Sequence, residues 1–206
     1  MDHVSWFATF AVYKNLIMNF DKKIILASKS PRRSQLLSEA GFDFEIKTKE
    51  VEEDYPADLA VEAVAPYLAR KKALASRDII QDDEILLAAD SVVILGDTIF
   101  GKPTDRDDAI RILEALSGNM HQVITGVCLL SKEKEQTFSG ISKVYIDELS
   151  RAEIEYYIDK FKPFDKAGSY AIQEWIGLCK ISKIEGTYSN IMGLPVNLVY
   201  KALMAF

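Results

Sequence analysis

Three cations fall within five positions at Lys29, Arg32 and Arg33, and a serine and a proline, Ser30 and Pro31, stand directly before the two arginines. An apolar run precedes them and a helical pattern, Leu36, Leu37 and Ala40, follows. The start of a helix presents unpaired N–H groups and the positive end of its dipole, so it is a ready site for an anion. Arginines in that first turn work against the dipole. Their cost is offset if they serve a ligand, and a guanidinium matches phosphate oxygens two at a time. The plainer alternative is a solvated basic turn.

Asp90 is the second anomaly. It splits the apolar run "ILLAADSVVIL", residues 85–95, where a core side chain belongs. Burying a carboxylate is costly unless it is paired or holds a metal. Asp90 is therefore a candidate general base or metal ligand, against the alternative of a strand-end residue in water. Lys72 shares a helical stripe with Leu68, Ala69 and Ala75, but Lys71 also has apolar neighbours at helical spacing, so periodicity does not choose between them. Lys102, in "GKP", reads alone as a solvated charge. Glu52, Glu53 and Asp54 form an acidic loop, one of whose carboxylates can hold Mg²⁺ together with phosphate oxygens and water.

Composition narrows the ligand. The chain has 206 residues, 49% of them hydrophobic, and a net charge of −6. A local cationic cluster on an acidic background favours a small anion over nucleic acid. Two cysteines without C-x-x-C spacing suit a reducing, cytoplasmic setting. Two histidines make a multi-histidine metal site improbable, and no apolar run is long enough for a spanning helix. A homodimer is left open. There is no P-loop, no G-x-G-x-x-G and no G-x-S-x-G, so phosphate chemistry here needs another scaffold.

The elements that must position these residues follow from pattern. Residues 24–28 read as a buried strand. Ser30 is placed to cap a helix with Pro31 at its first position and Gly41 past its end. A strand is expected over "FDFEIK", and a helix over roughly 59–77, where Pro66 either kinks it or marks its start. Strands are expected at 85–95, 120–131, 138–147 and 177–184. Helices are expected over 105–116, after the Ser150/Glu153 capping box, and after Pro195. Strands and helices do not strictly alternate, which points to a mixed sheet with helices on it. Residues 1–17 read as an N-terminal extension ahead of a start-like Met18, with residues 18–206 as a single catalytic domain.

Taken in order, "ILASKSPRRSQLL", "YLARKKA", "AADSVV", "GKP", "LSGNMHQVITGV", "DKAGSYAIQ" and "GTYSNIMGLP" resemble the Maf-like nucleotide pyrophosphatases along nearly all of residues 22–206. The resemblance implies a mixed α/β fold: an elongated mixed β-sheet with flanking helices, and two lobes around a central cleft, similar to inosine-triphosphate pyrophosphatases. It implies hydrolysis of a nucleoside triphosphate to monophosphate and pyrophosphate with a divalent metal, Mg²⁺ or Mn²⁺. "SPRR" resembles the branch acting on dTTP and UTP.

By matching motif, Asp90 would be the catalytic base and, with Glu53, a metal ligand. Arg33, Lys72 and Lys102 would hold the triphosphate, with Ser28 also on the substrate. Arg32, Ser91 and Gln173 match positions linked to base selection. The chain departs from the pattern at Ser91, where threonine is common, and at "SYAIQE", where "AYGIQG" is usual. A nucleotide-sensing regulator of septum formation, acting mainly by binding, is the alternative. A pure binder has no need of a carboxylate in the "LLAAD" strand.

Overall fold

The computed structural model describes Phe20 and residues 22–206; the expected extension, residues 1–17, and Met18 lie outside the described residues. The central strand is β3 (Glu84–Leu95). On one side β1 (Lys23–Leu26) pairs with it in parallel, and β2 (Phe44–Ile46) extends that edge, also in parallel. On the other side β5 (Met120–Leu130), β6 (Glu135–Ile146) and β7 (Ile181–Glu185) follow antiparallel. The short β4 (Thr98–Phe100) folds back on the end of β3. The expected mixed sheet is present, in the order β2-β1-β3-β5-β6-β7.

Seven α-helices flank the sheet among the described residues: α1 (Pro31–Glu39), α2 (Val61–Ala75), α3 (Arg106–Leu116), α4 (Arg151–Phe161), α5 (Trp175–Cys179), α6 (Tyr188–Met192) and α7 (Val196–Met204). Asp105 caps α3 by accepting the Asp108 N–H, and Ser150 and Glu153 form the expected capping box on α4. Ser30 stands at the N-cap of α1, but its side chain makes no cap bond. None of the helices is long and apolar enough to cross a membrane among the described residues.

Alternation along β3 explains where the cleft falls. Ile85, Leu87 and Ala89 face one side, packing with Leu36 and Leu37 of α1 and Val199 and Leu203 of α7. Leu86 and Ala88 face the other, against Ala69 and Ala73 of α2. Farther along, Val93 joins the core made with α3 and α4, while Val92 and Ile94 pack on Val64, Ala65 and Leu68 of α2. Side chains in a strand point alternately to its two faces. Asp90 therefore interrupts the α2 face and Ser91 the opposite one, both at the division between two pairs of cores. A fully buried Leu or Ile there would contribute about 1.5–3 kcal/mol. The polar pair forgoes that and opens the middle of the molecule.

Two local expectations are corrected. The stretch 177–184 is not one strand: α5 occupies Trp175–Cys179 and β7 begins at Ile181. A Cβ at Gly177 would lie 1.7 Å from the Ile172 carbonyl oxygen, so a glycine lets α5 press onto that backbone. Pro66 does not start α2; the helix begins at Val61 and runs through it.

Candidate active site

A cavity of about 1100 Å³ lies where β3 changes character, and all nine of the sequence-expected residues line it: Ser28, Arg32, Arg33, Glu53, Lys72, Asp90, Ser91, Lys102 and Gln173. On the α2 face Asp90 is 8% exposed. Lys72, from the last turn of α2, donates to Asp90 Oδ1 and, at 2.8 Å, to Glu53 Oε1. Lys71 turns away to Asp54, which settles the choice that periodicity left open. Lys102, in the loop after β4, sits 3.7 Å from Glu53 Oε2. Burial raises the Glu53 pKa, but the Lys72 hydrogen bond and the charges of Lys72, Lys102 and Arg33 outweigh it and hold the carboxyl below its usual range. Glu53 is thus ionised at neutral pH.

The opposite face is built around Arg33. Its Nε donates to the Gly193 carbonyl (2.8 Å), Nη1 to Ser28 Oγ (3.2 Å) and Nη2 to Ser91 Oγ (3.1 Å). Gly193 follows α6 in the left-handed region, φ 116°, a conformation that glycine adopts without strain. Ser91 Oγ meets Thr125 Oγ1 at 2.9 Å, and Thr125 donates to the Asn190 carbonyl. Burial lowers the Arg33 pKa, Asp90 opposes that and Arg32 adds to it. The guanidinium stays charged, because arginine does not deprotonate in proteins. Three fixed partners give it one orientation.

The far wall is the turn at residues 171–174, closed by the Glu174 N–H donating to the Ala171 carbonyl at 3.1 Å. Gln173 lines the cavity there, and its Oε1 is buried without a hydrogen-bond partner. Arg32 comes from α1 to Asp165 at 3.3 Å. The preceding residue, Tyr170, bonds through its hydroxyl to His121 Nε2 at 2.8 Å.

The sequence pattern of the family described as "Maf-like protein" matches residues 23–206. The chain belongs to this family. Among Maf-like relatives, a dTTP/UTP pyrophosphatase of Bacteroides thetaiotaomicron is 47% identical over 190 residues, covering 91% of this chain and 98% of the relative. One from Porphyromonas gingivalis W83 is 50% identical over 187 residues, covering 89% and 94%. Among solved structures, the Staphylococcus aureus Ham1 protein is similar with a TM-score of 0.53 at 15% identity, over 89% of this chain and 99% of that one. That likeness bears on the Maf-like fold alone.

Several residues that support the lining of this Maf-like cavity escaped the reading of the sequence. Thr125 and Asn190 hold Ser91 and the α6 terminus, and Tyr157 holds the 171–174 turn. Thr125 carried a signal: it is the hydroxyl within the apolar run 123–130, and it lies directly opposite Ser91. Tyr157 carried none, since its spacing on α4 is that of a core aromatic.

Proposed function

We propose that this chain hydrolyses dTTP and UTP to the monophosphate and pyrophosphate. The observation that carries the reading is the pairing of a buried carboxylate, Asp90, with cations fixed on both faces of one strand: Lys72 on one side and Arg33 on the other. A binding protein for a phosphate anion would need the cations and not Asp90. The names of the relatives agree with the reading and give no support to a regulator that mainly binds.

Arg33, Lys72 and Lys102 hold the triphosphate, whose oxygens also meet the side-chain-uncapped amides at the start of α1. Ser28 keeps Arg33 aimed at them. Asp90 takes a proton from the water attacking the α-phosphorus. Glu53 and Asp90 converge on the Lys72 amine, and hard carboxylate oxygens of this kind suit Mg²⁺ or Mn²⁺. No group of three or more His, Cys, Asp or Glu side chains placed to hold a metal ion occurs among the described residues. When bound, the metal would offset charge on the phosphates. Gln173, with its unpartnered amide oxygen, accepts from the imide N–H of uracil or thymine, with Arg32 and Ser91 beside the base. The enzyme acts on free nucleotides in the cytoplasm.

The test is a panel of canonical triphosphates with Mg²⁺ or Mn²⁺. UTP and dTTP should release pyrophosphate and monophosphate faster than ATP or GTP. Orthophosphate as the first product, with diphosphate left behind, overturns the reading.

A further inference from the structure

Glu174 stands where the family pattern usually has glycine, and its side chain is not idle. Tyr157, on α4, is fully buried and stacked on Phe161 with ring centroids 5.0 Å apart, so its hydroxyl is a fixed point. That hydroxyl accepts the Ala171 N–H at 3.0 Å and donates to Glu174 Oε2. One phenol thus holds both ends of the four-residue turn that carries Gln173. Burial first, and then the hydrogen bond and charge of Glu174, keep the phenol protonated and able to donate. The other Glu174 oxygen lies 3.5 Å from Lys166, which is 8% exposed. Lys166 also pairs with Asp165 at 2.8 Å, and Asp165 with Arg32 at 3.3 Å. A continuous polar chain therefore runs from Arg32 through Asp165, Lys166, Glu174 and Tyr157 to the backbone of residue 171.

We propose that Glu174 is a positioning residue for base selection: through Tyr157 and Lys166 it fixes Gln173 and Arg32 relative to each other. This rests on the dTTP/UTP reading of the cavity. Removing the carboxylate frees the exit of the turn and leaves buried Lys166 with one carboxylate instead of two. Glu174 touches no reacting atom. Its effect belongs to affinity and base preference, not to the chemical step.

The experiment measures affinity of the full chain for the α,β-methylene analogues of UTP and CTP, which are not cleaved at that bond. The result is therefore independent of whether the protein is a pyrophosphatase. The unmodified protein should prefer the uracil analogue. Glu174→Ala should erode that preference about tenfold, the scale of one misplaced hydrogen bond. Glu174→Gln retains an acceptor for Tyr157 but not the charge for Lys166, and should fall between. In a Gln173→Ala background, Glu174→Ala should change the preference no further, because its effect passes through Gln173. On cleavable UTP the variant should raise KM and leave kcat nearly unchanged. An unaltered preference in both Glu174 variants, full additivity with Gln173→Ala, or no base preference in the unmodified protein each overturns the proposal. Loss of turnover with the analogue preferences intact as described overturns only the pyrophosphatase reading.

Discussion

Asp90 and Lys72 meet across the cavity wall as an ion pair, and Lys72 is shared with Glu53. Asp90→Asn keeps the shape, removes the base and leaves Lys72 an amide oxygen to donate to. Turnover of UTP should fall by about 10²–10⁴-fold, the usual scale of general acid–base catalysis. Calorimetric binding of UTP should largely survive; near-normal turnover removes Asp90 from the mechanism. Asp90 was legible because a carboxylate in an apolar strand needs a reason. The choice of Lys72 over Lys71 was not, since the two lie 100° apart on a helix with apolar neighbours for both. Only the position of α2 over β3 separates them. Glu174 was visible as a departure from the family pattern, but its partner Tyr157 is 17 residues away on another element.

α2 has to cross the sheet close to Asp90 if its last turn is to deliver Lys72. Gly126, the β5 residue opposite Asp90, makes that crossing possible. A Cβ at Gly126 would lie 2.3 Å from the Pro66 nitrogen and 2.4 Å from the Ala65 carbonyl carbon. Those are backbone atoms that no rotamer change can move aside. Pro66 has no N–H, so the close approach of Gly126 to its nitrogen interrupts no helical hydrogen bond at that position. Gly126→Ala should destabilise the fold by about 1–3 kcal/mol, as overpacking does, and should lower kcat/KM by displacing Lys72. Urea denaturation and steady-state kinetics check the two effects; unchanged values for both would mean that the helix shifts freely. The long elements were legible because their periodicity is sustained over many residues. The expected strand over 177–184 holds only from Ile181 onward, its first part belonging to α5. A five-residue helix and a short edge strand look alike in a brief apolar run, and the contact that bends the chain, Gly177 on Ile172, is tertiary.

At the scale of the whole molecule the mixed sheet was legible from the order of its elements, but the anchoring of the 171–174 turn on it was not. Part of that anchoring is His121 on β5, fully buried with its Nε2 on the Tyr170 hydroxyl at the head of the turn. Nothing in "NMHQV" marks it as different from a surface histidine. Burial lowers its pKa from 6.5 to about 4. The folded chain therefore binds this proton less readily than the unfolded chain does. Above pH 6.5 His121 is neutral in both states and costs nothing. As pH falls from 6.5 towards 4 the unfolded state takes up the proton first, and stability drops by about 2 kcal/mol by pH 5. Glu153, lowered from 4.5 to about 2 chiefly by the Lys180 hydrogen bond, acts in a separate window, losing its contribution only below pH 4.5. Urea unfolding at pH 7 and pH 5 isolates the histidine. His121→Gln retains a hydrogen-bonding amide but cannot titrate, so it should be weaker than the unmodified protein at pH 7 and lose clearly less between the two pH values. Parallel losses in the two proteins would mean that the acid sensitivity of the fold lies elsewhere.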